Sequence, residues 1–336
     1  MRLSVEVADA LDGVGADELF ELDRNLGAAG CLGRLVQHSA DPRWVPRYVI
    51  VRDGPLLLAM VPIFLGVGKQ WSDQIHSPQR WGHVEPALPA NSALIGGRLE
   101  IRGSLRCADE PEVIRMVADG CASINELRGR DLFFGYLDEH QQALTEAVFG
   151  PVKWLAEYED FVYPDEVVQG PLASLPRNVR QTIRHSERQV AEHQISVQTS
   201  PWTEYHGNAC DLIADHNNRK GVVDHPALVR YRMEQWNDCE EVTALVVHAV
   251  ADGMDGAVTL LLYRDEMEVY EIGLPGQEDV RRRALYACLT FHEPRRVARS
   301  RALTKIRAGL GAARPKQLRG ARAVVRKCGV SLRSLP

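Results

Sequence analysis

Four arginines, Arg177, Arg180, Arg184 and Arg188, follow one another at intervals of three or four residues. On a helix turning about 100° per residue, Arg180, Arg184 and Arg188 lie about 40° apart, roughly opposite Val179, Ile183 and Val190. Such a face of guanidiniums can meet successive backbone phosphates of a nucleic acid; it can also be a solvated surface, and Glu187 belongs to it. His292 and the adjacent Glu293 have the chemistry to take a proton from an amine. Glu293, directly before Pro294, equally fits a helix N-cap. Arg319 and Arg314 are candidate phosphate contacts, with Gly320 allowing close backbone approach. No His, Cys or carboxylate spacing suggests a metal, and neither a G-x-S-x-G nor a Walker loop is present.

Charge distribution points the same way. Thirteen of the chain's 40 Lys and Arg residues fall between Pro294 and Pro336, where no Asp or Glu occurs. Residues 1–293 therefore hold 27 basic against 45 acidic side chains. An acidic body carrying a basic C-terminal segment implies a polyanionic partner, or a segment that offsets the charge of the body. The 336 residues suggest two domains, and an apolar share of 45% with 25% charged residues is that of a globular protein. The longest apolar run, Leu56 to Val67, is too short for a membrane span and too internal for a signal peptide. Seven scattered cysteines without a C-x-x-C pair argue against a disulfide framework and for a reducing cytoplasm.

The elements that must position these residues alternate between helix and strand. Helices are expected over Ala16–Leu26, Glu110–Leu127 and Gln141–Phe149, with strands at Tyr48–Arg52, Leu56–Phe64 and Asp131–Tyr136. Asp53-Gly54 marks a hairpin turn. Residues 68–97, rich in Gly, Pro, Ser and Trp, read as a long loop whose Trp71, His76 and Trp81 are candidates to line a pocket. In the second half, Ser174 is an expected N-cap and Pro176 a first-turn residue for a helix over Arg177–His193. Further helices are expected at Trp202–Arg219, Pro226–Trp236, Val280–Phe291 and Pro294–Arg301, and strands at Val242–Ala251, Ala257–Tyr263, Glu268–Gly273 and Ala302–Ala308. Each half mixes helices with a largely antiparallel sheet, an α+β pattern repeated twice, with the boundary placed between residues 1–160 and 161–336.

Five stretches resemble the Fem-like proteins of the GNAT acyltransferase superfamily. They are Leu175 to Arg184, His216-Asn-Asn-Arg-Lys-Gly221, Tyr286 to Ala298, Lys316-Gln-Leu-Arg-Gly320, and, in the first half, Trp44-Val-Pro-Arg-Tyr48 with the hairpin after it. The resemblance implies two tandem GNAT-like domains of the acyl-CoA N-acyltransferase fold, and transfer of an acyl or aminoacyl group to an amine. Several relatives take the amino acid from aminoacyl-tRNA, either to build peptidoglycan bridges or to modify small natural products. Lys316 matches the family lysine beside the transferred carbonyl, which makes it the candidate cation for a tetrahedral oxyanion. Tyr270 and Glu271 fall on the strand where GNAT domains splay to admit the donor, and strand alternation would turn one of them to the cleft. The expected donor is aminoacyl-tRNA and the acceptor a small-molecule or peptidoglycan-precursor amine, with no cofactor. A CoA ester is the alternative donor, and a non-catalytic RNA-binding protein the alternative of another class. Against CoA, Glu278 and Asp279 stand where a GNAT pyrophosphate loop would be.

Overall fold

The computed structural model describes residues 3–68, 78–82, 89–98, 101–205 and 207–331. Trp71 and His76 lie outside them. The chain divides into two compact units, residues 1–158 with 325–336, and residues 159–324. The last residues, expected with the second half, thus count with the first.

The first unit contains β1 (Leu3–Ala8), α1 (Ala16–Leu22), α2 (Leu32–Ser39), β2 (Trp44–Asp53), β3 (Leu56–Gly66), β4 (Ser92–Ile95), α3 (Pro111–Ser123), β5 (Asp131–Leu137), α4 (Glu139–Phe149) and the start of β6 (Lys153–Tyr163). Its strand order is β1-β2-β3-β4-β5-β12, where β12 is Arg322–Ser331. Only β4 and β5 run parallel among its named pairs. The Asp53-Gly54 turn joins β2 to β3 as the sequence indicates, and Leu56 to Gly66 is strand because it is buried on both faces. The short β4 hides in the stretch read as a loop. Val49, Val61, Ile63, Ile95, Phe134 and Val117 meet in the core of this unit.

The second unit contains the end of β6, α5 (Asp165–Val168), α6 (Arg177–Glu192), β7 (Ser196–Pro201), α7 (Ala209–Arg219), α8 (Pro226–Asn237), β8 (Val242–Ala251), β9 (Met254–Tyr263), β10 (Glu266–Gly273), α9 (Val280–Ala287), α10 (Glu293–Ser300), β11 (Lys305–Leu310) and α11 (Ala313–Gln317). Its order is β6-β11-β10-β9-β8-β7, with β10 and β11 parallel and the other neighbours antiparallel. Both units are therefore α+β with a mixed, largely antiparallel sheet. Helix α6 begins after Pro176, with no side-chain cap; the Ser174 hydroxyl instead donates to the carbonyl of Pro171. Val179 and Ile183 are buried, as the helical periodicity requires. Only the end of the Trp202–Arg219 stretch is α-helix; Trp202–Glu204 is a 3₁₀ turn. A π-turn at Cys288–His292 links α9 to α10, so the helix continues where a fresh N-cap at Glu293 was one expectation.

Gly273 ends β10 against the backbone of α7. A Cβ there would lie 2.5 Å from the Leu212 carbonyl carbon and 2.6 Å from the Ile213 nitrogen. Gly273→Ala is expected to cost about 1–3 kcal/mol through overpacking, read as a lower urea midpoint at unchanged m-value.

Candidate functional site

Strands β10 and β11 pair in parallel at only three positions, Glu266–Lys305, Met267–Ile306 and Glu268–Arg307. A buried ion cluster fixes this junction. Arg307 donates Nε and Nη2 to the two Glu266 carboxylate oxygens, both at 2.9 Å, and Lys305 Nζ lies 3.2 Å from Glu266 Oε2. Beyond it the register of each strand shifts, between Val269 and Glu271 on β10 and between Arg307 and Gly309 on β11. The parallel pairing goes no further.

Lys316 lies beside the end of β11, past the last paired position. Its buried ammonium donates to the carbonyls of Gly309 at 2.9 Å and Leu310 at 3.0 Å, and lies 5.2 Å from the centroid of Phe161. Burial lowers its pKa to about 8, the buried Asp160 acting in the opposite sense and Lys220 in the same one. An ammonium has three protons, so a third remains for a ligand oxygen after two carbonyls are served.

On the β10 side, the bulge breaks the alternation expected of a strand. Tyr270 meets Trp236 edge-on at 5.6 Å, and Glu271 Oε1 accepts from Arg232 Nε at 2.8 Å. Consecutive residues thus both reach α8, rather than one on each face. Arg232 also donates Nη1 and Nη2 to the two oxygens of Asp224, at 3.1 and 2.6 Å. Asn217 Nδ2 donates to Asp224 Oδ2 at 2.8 Å, and Asn218 clasps the Asp224 backbone. The second oxygen of Glu271 is buried and has no hydrogen-bond partner among the described residues. Burial raises the Glu271 pKa against the pull of Arg232. Asn217 and Asn218 of the His216–Gly221 stretch thus hold the Asp224 end of an ion network in which the sequence reading names Glu271 but neither Asp224 nor Arg232. Arg232 was legible: at three residues past Val229 and four before Trp236, it is a charge inside the buried stripe of α8.

The remaining candidates lie elsewhere. Glu293 is buried, accepts from Thr199 Oγ1 at 2.8 Å and is forked by Arg296; these bonds hold its pKa down against the burial that would raise it. His292 shares a 2.8 Å hydrogen bond between its Nε2 and the Ser186 hydroxyl, and burial, with Arg319 and Arg295, lowers its pKa to about 4. Neither reaches Lys316 by any hydrogen bond. Arg319 is half-buried, donating Nη1 to Pro315, and its Nε is buried without a partner among the described residues. Gly320 has φ +93, and a Cβ there would meet Val167 at 3.0 Å and Val179 at 3.3 Å, so packing as well as backbone angle requires glycine. Arg314 is exposed. On α6, Arg180 turns back to the carbonyls of Ala173 and Leu175, while Arg177, Arg184 and Arg188 are exposed. Trp81, from the loop-like stretch, is buried against Phe133 and Tyr136.

At the N-terminus of α9, where the resemblance would place a pyrophosphate loop, the chain caps its own helix. Asp279 caps α9, accepting from the Arg282 backbone N–H at 3.0 Å, and Arg281 clamps the same carboxylate. Arg282 pairs with Glu278 at 2.8 Å and donates Nε to the Pro275 carbonyl. Among the described residues, no group of three or more His, Cys, Asp or Glu is placed to hold a metal, and no helix is long and apolar enough to cross a membrane.

No protein-family model matches the sequence, and no curated protein does. Solved structures do share the architecture. FemX superposes with a TM-score of 0.59 at 8% identity, over 96% of each chain. A tandem GNAT protein from the clavulanic acid biosynthesis pathway, solved without acetyl-CoA, gives 0.57 at 13% identity over 98% of each. The C-terminal domain of a lysylphosphatidylglycerol synthetase from Agrobacterium fabrum gives 0.53 at 9%, over 94% of this chain and 91% of that one. The likeness is one of fold, that of two tandem GNAT-like domains.

Removing Arg232 would leave the carboxylates of Asp224 and Glu271 without their cation. Arg232→Met is expected to lose about 3–5 kcal/mol at neutral pH. Equilibrium denaturation should show the deficit shrinking as pH falls, because protonation removes the orphaned charges, and shrinking also when Glu271→Gln is added.

Proposed function

We propose that this chain is an acyltransferase that moves an amino acid from aminoacyl-tRNA to an amine, forming an amide. The donor assignment is carried by the α9 N-terminus, where Asp279 accepts the Arg282 backbone N–H that a CoA pyrophosphate would need. A carboxylate in that position repels a pyrophosphate and favours a donor held elsewhere. The fold shared with FemX supports the same reading.

In this reading the acceptor nitrogen attacks the ester carbonyl beside Lys316, where the β10–β11 pairing ends. The carbonyl oxygen gains negative charge as the C–N bond forms, and the Lys316 ammonium, pinned by two backbone carbonyls, stabilises that oxyanion with its third proton. Collapse breaks the ester C–O bond. The ribose oxygen leaves with the pair of electrons and takes up the proton lost by the amine. Because the ester is already activated, the step calls for positioning and charge, without a redox or metal cofactor. The acceptor is the amine of a small molecule or of a peptidoglycan precursor.

Lys316→Ala is expected to lower amide formation about 10²- to 10³-fold; the chain should stay folded but melt at a lower temperature, because the Gly309 and Leu310 carbonyls lose their buried partner. A protonated Lys316 is required, so the wild-type rate should fall as pH rises through about 8. Lys316→Arg, protonated throughout, should extend any residual activity to higher pH. Charged tRNA and acetyl-CoA, each with a labelled acyl group, are supplied separately. Label transferred from acetyl-CoA and insensitive to ribonuclease would overturn the tRNA assignment and leave the CoA-dependent alternative.

A further inference from the structure

A cleft of about 310 Å³ opens in the second unit between α6 and the π-turn with α10. Glu187, Val190, His292, Arg295, Arg296 and Arg299 line it. Arg296 is neutralised by Glu293, which leaves Arg295 and Arg299 against the exposed carboxylate of Glu187.

Those two guanidiniums are held in place from behind. Arg295 donates Nε to the Val167 carbonyl at 2.8 Å and Nη2 to Gly170 at 3.2 Å. Arg299 donates Nε to Val168 at 2.7 Å and Nη2 to Gln169 at 3.0 Å and Gly170 at 2.5 Å. Among the described residues, the Nη1 of neither has an acceptor. Carbonyls at the end of α5 orient the guanidinium planes but carry no full negative charge to offset two cations one helical turn apart. Like charges fixed side by side with unused N–H donors suit an oxyanion that accepts from both. The neutral His292 ring adds no charge, and Val190 closes one wall with apolar surface. A π-turn at such a wall is itself common at functional sites.

We propose that this cleft binds a phosphate group, taken by Arg295 and Arg299. Two sources share that chemistry: a backbone phosphodiester of the RNA donor, which rests on the function proposed above, and a phosphorylated small molecule, which does not. Exposed Arg184, three residues before Glu187 on α6, favours the polynucleotide, since it adds a positive charge near the cleft.

The test is ³¹P line broadening of inorganic phosphate by the intact chain at low ionic strength. Wild type should broaden the resonance. Val190→Glu, which places a carboxylate in the cleft, should weaken binding about tenfold or more, while the neutral Val190→Gln retains it and controls for folding. Glu187→Gln should tighten binding about threefold. Uncharged tRNA and adenosine 5′-monophosphate are then added as competitors. Displacement by tRNA assigns the phosphate to a polynucleotide; displacement by the mononucleotide but not by tRNA assigns it to a small phosphorylated ligand; both support the site. No broadening, broadening indifferent to Val190→Glu, or displacement by neither competitor (an adventitious ion only) overturns it. The readout needs no turnover, so its failure and a failure of amide transfer are separate results.

Discussion

The second unit is organised by the early end of one strand pairing. A parallel ladder would satisfy every inward backbone group of β10 and β11, yet it stops at Glu268 and Arg307. Ending there leaves carbonyls of Gly309 and Leu310 that a buried environment requires to be bonded, and Lys316 bonds both. The carbonyls in turn hold the ammonium where burial alone would expel it. Structure and the proposed chemistry are thus one arrangement, since the carbonyls that pin the lysine are those the broken sheet left unpaired. The Glu266–Arg307 pair secures the last rung, so the point of divergence is fixed by a buried charge pair and not by fraying.

Many cations of the basic C-terminal segment are engaged by the protein's own carboxylates and carbonyls. Arg307 pairs with Glu266, Arg322 with Glu166 and Arg296 with Glu293, while Arg295, Arg299 and Lys316 hold backbone carbonyls. Arg326 reaches the Tyr136 carbonyl at 3.3 Å. Read as a sequence, the run of cations without carboxylates looked like a surface for a polyanion. Folded, many of its charges meet carboxylates contributed by the acidic remainder of the chain, which is the offsetting alternative on a residue-by-residue basis. What is left outward, such as Arg301 and Arg314, together with the α6 arginines, is a sparser positive surface.

Periodicity made α6 legible, because Val179 and Ile183 bury the face that a 100° repeat assigns to them. The β2–β3 hairpin was legible from its Asp-Gly turn. Five strands went unread: β1, β4 within the stretch read as a loop, and β6, β7 and β12, the last three for a common reason. β6, β7 and β12 show partly exposed, polar-rich faces, and their pairing is decided by partners distant in sequence, as when β12 returns to β5. The candidate residues could be named by type, while their surroundings could not be read: the Thr199 bond to Glu293 and the Ser186 bond to His292 span about a hundred residues, and no local spacing encodes them. The bulge at Tyr270 was hidden for a similar reason: alternation is a rule for unbroken strands.

Both units carry one parallel pair, yet they treat its end differently. In the first, β4 and β5 pair from Ser92–Asp131 to Ile95–Phe134. The chain then fills the space itself: Ser104 donates its N–H to the Gly96 carbonyl at 2.8 Å, Gly103 donates to Tyr136 at 3.3 Å, and Arg106 gives its carbonyl to Met60. Close passage of Gly103 beside the Gly135 carbonyl leaves no room for a Cβ. A backbone bridge of this kind satisfies the parted strands with the protein's own groups and excludes a ligand. In the second unit a flexible side chain does the same work from one side only. A lysine can give its remaining proton to an incoming oxygen without disturbing either carbonyl, whereas a bridging backbone would have to unfold first. That difference in what closes the end of a parallel pair is the physical ground for proposing the second unit, rather than the first, as the place of acyl transfer.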